Sequence, residues 1–157
     1  MKTCNQSSQA SLLRLDSQLC FSLYAASRLM TRAYQPLLEP LGLTYPQYVV
    51  LLVLWEDAPC SVSQVGQRVM LNSNTLTPLL KRLEQLGYVT RARNADDERV
   101  VEVALTTAGR KLRGKCAGIP QKLMEGVPAD SLDELLQLKG SLDRLIGLMV
   151  ASEAEPV

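Results

Sequence analysis

Cys20 stands in the stretch DSQLCFSLYAASR, Asp16 to Arg28, a thiol among apolar neighbours near the start of a helical pattern. Two roles are open to it: a small hydrophobe in a core, or a reactive sulfur. The other cysteines, Cys4, Cys60 and Cys116, are spaced too widely to read as a disulfide framework, and no two lie close enough for a zinc site. The chain has no histidine, which excludes a histidine general base. No metal or cofactor is expected.

A second group of residues has the chemistry of nucleic-acid contact. Asn72, Ser73, Asn74, Thr75 and Thr77 form a short-chained polar cluster, followed by Lys81 and Arg82. Such side chains hydrogen-bond phosphates or base edges, and the start of a helix itself favours a phosphate. Ordinary helix capping explains Ser73 or Thr75 equally well. Further on, Arg91 and Arg93 alternate with Thr90 and Ala92, so both arginines face one side of a strand. Arg99 follows three acids at a hairpin tip, where Asp97 could hold it for insertion into a minor groove or merely pair with it in solvent.

Net charge over the whole chain is only +1, but its distribution is uneven. Residues 61–113 hold nine basic and five acidic side chains, net +4, and residues 126–157 hold two basic and six acidic, net −4. This split points to an anion facing the middle of the chain, and solvated helix faces of no special meaning explain it equally well.

The elements that must position these groups follow from periodicity. Leu12, Leu15, Leu19, Leu23, Met30 and Leu37 predict a long first helix from Leu12 to about Leu38. Thr44 caps a second, PQYVVLLVLWE, whose all-round apolarity predicts burial. EDAPCS reads as a turn, Ser61 or Ser63 caps a short third helix, and TLTPLLKRLEQLG is an amphipathic fourth that stops at Gly87. The period then changes to two: YVTRAR and RVVEVAL, joined by the polar NADDE, predict a two-stranded wing. A fifth helix, TAGRKLRGKCAGIPQKLMEGV, should kink at Pro120, and a sixth spans Ser131 to about Ser152.

That order describes a mainly α protein with a small β-wing, a winged helix-turn-helix with N- and C-terminal dimerisation helices. At 157 residues a single domain is expected. Residues 12–43 and 106–152 would serve dimerisation and sensing, and residues 44–105 the DNA-binding region. Leucine-rich helices at both ends of so small a chain point to a symmetric homodimer. No apolar run reaches the roughly 20 residues that span a bilayer, and the start MKTCNQSSQAS lacks the apolar core of a signal peptide, so a cytoplasmic protein without a membrane partner is expected.

Asp97, Glu98 and Arg99, followed by VVEVA and Leu105-Thr106, resemble the wing signature of the MarR family of dimeric winged-helix repressors. The resemblance extends from about Leu12 to Val150. It implies a palindromic operator read as double-stranded DNA, with Ser73, Asn74, Thr75 and Thr77 facing the major groove and Arg99 the minor groove. The first third, with Leu19-Cys20-Phe21 and Thr44-Tyr45-Pro46-Gln47-Tyr48, looks like the organic-hydroperoxide-sensing OhrR branch. That likeness implies that Cys20 is the redox sensor and that Tyr34 and Tyr45 of the partner subunit hydrogen-bond its thiolate.

An unperturbed cysteine, of pKa about 8.5, is only a few per cent ionised near neutrality, so the reactive anion needs support. Neutral phenols supply it without adding charge, whereas Asp16, one turn before Cys20 on the expected helix, would oppose it. Phe21, Leu23, Val49 and Val50 would wall an apolar approach for a bulky organic hydroperoxide. The implied function is a repressor that oxidation of Cys20 releases from its operator, derepressing a peroxide-detoxification gene. Cys116 is the candidate resolving cysteine, with Cys4 or a low-molecular-weight thiol as alternatives. Two other readings stay open: a repressor released by a small phenolic ligand with Cys20 inert, and a thiol peroxidase. The second is the poorer, and no enzyme is expected.

Overall fold

The first helix, α1, spans Leu19–Leu38 and not the longer stretch that apolar spacing implies. Leu12, like Cys4, lies outside the residues that the computed structural model describes, 13–154. Ahead of α1, Leu15–Ser17 make one 3-10 turn, and Gln18 is extended at φ −91° and ψ 112°. Asp16 and Ser17 supply the reason, since short polar side chains compete with helical backbone bonding. Asp16 is thereby taken off the helix of Cys20, and Cys20 becomes its second residue.

After α1 and a short 3-10 turn, Thr44 opens α2 (Tyr45–Asp57), and its N–H donates to Gln47 Oε1 at 2.9 Å. Pro46 in the first turn costs no intrahelical bond there. Ser61 caps α3 (Val62–Val69) reciprocally: Gln64 N–H donates to Ser61 Oγ at 3.1 Å, and Ser61 N–H to Gln64 Oε1 at 2.7 Å. Met70, left-handed at φ 56°, makes the turn into α4 (Ser73–Gln85). Gly87, at φ +76°, ends α4, with Tyr88 N–H on Leu83 O and Gly87 N–H on Glu84 O. Helix, turn and helix thus have their ends where the polar residues predict, although α4 starts two residues earlier than expected.

The wing is a three-stranded sheet rather than a two-stranded one. β1 (Cys60–Ser61), β2 (Val89–Arg93) and β3 (Val101–Leu105) lie in the order β1-β3-β2, all antiparallel. Val89 opposes Leu105 and Arg93 opposes Val101, while Cys60 opposes Val103. A two-residue strand has no period to detect, so EDAPCS read only as a turn.

Thr106 caps α5 (Thr107–Cys116) through a bond from Gly109 N–H at 3.0 Å. The long fifth helix of the sequence reading is two helices. The chain breaks at Ala117 and Gly118, and Pro120 falls in the first turn of α6 (Ile119–Met124), where proline fits a helix start. The described residues up to Ile119 form one compact unit and those from Pro120 a second. The second holds a 3-10 turn, Ala129–Ser131, and the long helix α7, Leu132–Ala154. Among the described residues no single helix is long and apolar enough to cross a membrane.

In the first unit, α2 runs through the core. Val50, Leu51 and Leu54 are buried with Leu76, Leu80 and Leu83 of α4, Val65 of α3 and Val103 of β3. Each such side chain contributes about 1.5–3 kcal/mol on leaving water. The start of α5 is pinned to the root of the wing: Thr106 Oγ1 donates to Gly87 O at 2.6 Å, Thr106 N–H to Tyr88 O at 3.0 Å, and Trp55 Nε1 to Gly109 O at 2.9 Å. Backbones approach so closely there that a Cβ on Gly109 would lie 2.0 Å from Tyr88 O. Glycine to alanine inside a helix ordinarily stabilises by up to about 1 kcal/mol. Gly109→Ala should instead destabilise by about 1–3 kcal/mol in urea unfolding; equal or greater stability would contradict this contact.

Candidate functional site

The first turn of α4 is the exposed end of the helix-turn-helix, and the structure divides its polar cluster. Asn72 Oδ1 accepts from Thr75 N–H and from Thr75 Oγ1, both at 3.0 Å, so Asn72 is the N-cap rather than Ser73 or Thr75. Thr77 Oγ1 donates to Ser73 O at 2.7 Å. Ser73 and Asn74 are left with exposed side chains, and Lys81 and Arg82 are exposed further along the same helix. Pro78 is the sixth residue of α4, deeper than its sequence context implies, and removes the N–H that Asn74 O would otherwise receive.

The wing tip is organised by a residue that the candidate set omits. Asn94 Oδ1 accepts from Asp96 N–H at 2.8 Å and Asp97 N–H at 3.0 Å, and Asn94 Nδ2 donates to Glu102 Oε1 at 2.7 Å. Asparagine at the start of a polar tip is an available signal for such a turn. Asp97 Oδ1 accepts from the backbone N–H of Arg99 at 3.0 Å. It therefore shapes the loop and leaves the guanidinium of Arg99 without an ion pair among the described residues.

Arg91 and Arg93 share a strand face as expected, but only Arg93 is exposed. Arg91 donates from Nε at 3.0 Å and from Nη2 at 2.6 Å to Glu84 Oε2 on α4, so its guanidinium is engaged within the fold. That bond holds the Glu84 carboxyl below the usual carboxylate range. A groove of about 330 Å³ between α4 and the wing is lined by Ser63, Ser73, Thr77, Arg91 and Arg99 among others. Arg68, the remaining basic side chain of the helix-turn-helix, is turned back onto Glu56 and Asp57 of α2.

The candidate sulfur site falls into two separate parts. Cys20 is exposed, its Sγ 3.8 Å from Gln18 Oε1. Tyr34 and Tyr45 come together at the other end of α1, ring centroids 4.8 Å apart, with Tyr48 at 5.7 Å from Tyr34. Burial, and then Tyr45 beside it, pushes the Tyr34 phenol up, so it stays a neutral O–H donor. A cleft of about 420 Å³ opens beside Tyr45, lined also by Thr31, Gln35, Leu43 and Thr44. Fourteen residues of helix separate Cys20 from Tyr34, about 21 Å along the axis, and turn them only about 40° apart around it. Within one chain the thiol and the phenols cannot meet.

Burial bears on two further groups of candidates. Val50 is fully buried in the core and cannot wall an approach path, whereas Phe21 is exposed and Leu23 and Val49 are half-buried. Cys116, the candidate partner for an intersubunit disulfide, is 3% exposed, and burial pushes its thiol up. Burial and Asp57 raise the Cys60 thiol as well, with Arg68 opposing them.

A capped helix-turn-helix followed by an antiparallel hairpin that folds back beside it defines a winged helix-turn-helix protein. The family model described as transcriptional regulator SarA/Rot matches residues 32–115. The chain is 47% identical over 134 residues to the organic hydroperoxide resistance transcriptional regulator of Bacillus subtilis, covering 85% of this chain and 90% of that protein. It is 50% identical over 139 residues to the HTH-type transcriptional regulator TtmR of Methylorubrum extorquens, covering 85% and 71%. Among solved structures, reduced AbfR bound to DNA, the Staphylococcus epidermidis protein, matches with a TM-score of 0.76 and 36% identity over 90% of this chain and 99% of that one. The chain belongs to the MarR-type winged-helix transcriptional regulators, in the branch of the organic hydroperoxide resistance regulators.

The burial pattern sets an order of thiol reactivity. A maleimide added to the native protein should label Cys20 at least about tenfold faster than Cys60 or Cys116, as read by peptide mass mapping. Labelling of Cys116 at a matching rate would contradict its burial.

Proposed function

We propose that the protein is a homodimeric repressor that holds a palindromic operator until an organic hydroperoxide oxidises Cys20. The observation that carries this is the division of the sulfur site along α1: Cys20 near one end and Tyr34 near the other, on one helix face, with Tyr45 of α2 packed against Tyr34. A two-fold partner with its α1 antiparallel would bring each Cys20 to the other chain's Tyr34 and Tyr45, completing two equivalent sites. Leu19, Phe21, Leu29 and Met30 on α1, and Leu132, Leu136, Leu148 and Met149 on α7, are exposed in the single chain and supply apolar area for such an interface. Residues 12–43 and 106–152 then serve dimerisation and sensing, and residues 44–105 bind DNA.

The chemistry follows from the residues. The Cys20 thiolate attacks a peroxide oxygen; an S–O bond forms, the O–O bond breaks, and the alkoxide leaves as the alcohol after taking a proton. Sulfur is oxidised by two electrons to sulfenate, and the hydroperoxide is reduced. Tyr34 and Tyr45 donate hydrogen bonds to the thiolate and lose that arrangement when the sulfur gains oxygen. Phe21, Leu23 and Val49 favour an organic over an inorganic peroxide. Because Cys116 is buried, Cys4 or a low-molecular-weight thiol is left to form a disulfide with the sulfenic acid, releasing water.

On the DNA side, Ser73 and Asn74 meet the major groove, Lys81, Arg82 and Arg93 the backbone, and Arg99 the minor groove. Repacking at the dimer interface shifts two recognition helices from half-sites about 34 Å apart, and binding is lost. The kinship with the Bacillus subtilis organic hydroperoxide resistance regulator supports the signal, and likeness to DNA-bound AbfR supports the target. Cumene hydroperoxide should release the wild type from its operator in a mobility-shift assay, while Cys20→Ser stays bound. Release of the serine variant would end the claim for Cys20.

A further inference from the structure

The recognition helix and the wing are joined by a single ion pair among the described residues. Arg14 to Asp16 and Lys139 to Asp143 are local pairs, and Arg68 ties α3 to α2. Glu84 of α4 and Arg91 of β2 alone bridge the two DNA-facing elements. Their side chains are 37% and 23% exposed, less open than the other pairs. The contact also holds backbone: besides the two guanidinium bonds to Oε2, the N–H of Arg91 donates to Glu84 Oε1 at 3.2 Å. Glu84 therefore grips the strand itself.

The hairpin geometry carries that grip to the tip. Arg91 opposes Val103 in the β2–β3 ladder, and Arg99 precedes β3 by two residues. Arg91 and Arg99 line the same groove as Ser73 and Thr77 of α4. We propose that Glu84 is a positioning residue that fixes the wing against the recognition helix, so that Arg99 reaches the minor groove in register with Ser73 and Asn74 in the major groove. This rests on the reading of that face as the DNA-binding one. A carboxylate near DNA would, by charge alone, weaken binding, so its removal should tighten it. Positioning predicts the opposite sign for specific binding.

The test is a double-mutant cycle on the full-length protein. The probe is a duplex that the protein itself enriches from a random-sequence pool, with a scrambled duplex as the non-specific control. Glu84→Gln should weaken binding to the enriched duplex but not to the scrambled one. Arg99→Ala should cost about tenfold in affinity in the wild-type background. In the Glu84→Gln background it should cost less than about twofold, because the wing is no longer held in place. Arg91→Lys, which keeps the charge but loses the fork, should reproduce this loss of coupling and serves if Glu84→Gln does not fold. An equal cost of Arg99→Ala in all three backgrounds would overturn the positioning role. No cost in the wild-type background would instead overturn the wing's assignment to DNA.

Discussion

A stiff helix cannot bring its own two ends together, and α1 carries Cys20 near one end and Tyr34, packed against Tyr45 of α2, near the other. The rise of about 1.5 Å per residue sets Cys20 and Tyr34 about 21 Å apart however the rest of the chain folds. Gln18, extended just before α1, makes the separation sharper by leaving Cys20 near the helix start, apart from Asp16. A site assembled from both halves is thus a property of two chains, and its geometry reports how those chains are packed. On this reading a sensor located at the interface needs no separate switch: the chemistry at sulfur and the spacing of the DNA-reading helices are fixed by the same contacts.

Between the phenol pair and the wing lies a continuous set of packed groups. Tyr34 contacts Tyr48, Tyr48 meets Trp55 edge-on at 6.3 Å, and the Trp55 indole donates to Gly109 O. Gly109 and Thr106 abut the backbone of Tyr88, one residue before β2. Spatial continuity is not by itself coupling. It does define which contacts a repacked interface would have to displace to reach the wing root, and the tightness at Gly109 leaves that root little freedom to absorb a shift.

Much of the architecture was legible in local chemistry. Thr44, Ser61 and Thr106 cap the helices they precede, Gly87 closes α4, and the change of period after it marks the wing. What was not legible depends on distance in space. Glu84 and Arg91 meet across a turn, with no spacing rule to pair them, and Cys60–Ser61 become a strand only because β3 offers an open edge. Burial had the same limit. Val50 and Cys116 belong to apolar patterns that could face either a core or an interface, and only the packed structure assigns them to the core. At the sulfur site, resemblance alone linked Cys20 with Tyr34 and Tyr45, which one chain keeps apart.

Mixed dimers with two affinity tags can separate a two-chain site from a one-chain site while leaving one Cys20 in each dimer. In the first, one subunit carries Tyr34→Phe and Tyr45→Phe, and the other carries Cys20→Ser. In the second, one subunit is unaltered and the other carries all three substitutions. The quantity to measure is the rate at which organic hydroperoxide converts the remaining Cys20 to sulfenate. A site shared between chains predicts the wild-type rate per thiol in the first dimer and a loss of roughly tenfold or more in the second, since hydrogen bonds to a charged group are worth about 1.5–3 kcal/mol. Equal rates in the two dimers, or a slower first dimer, would contradict it.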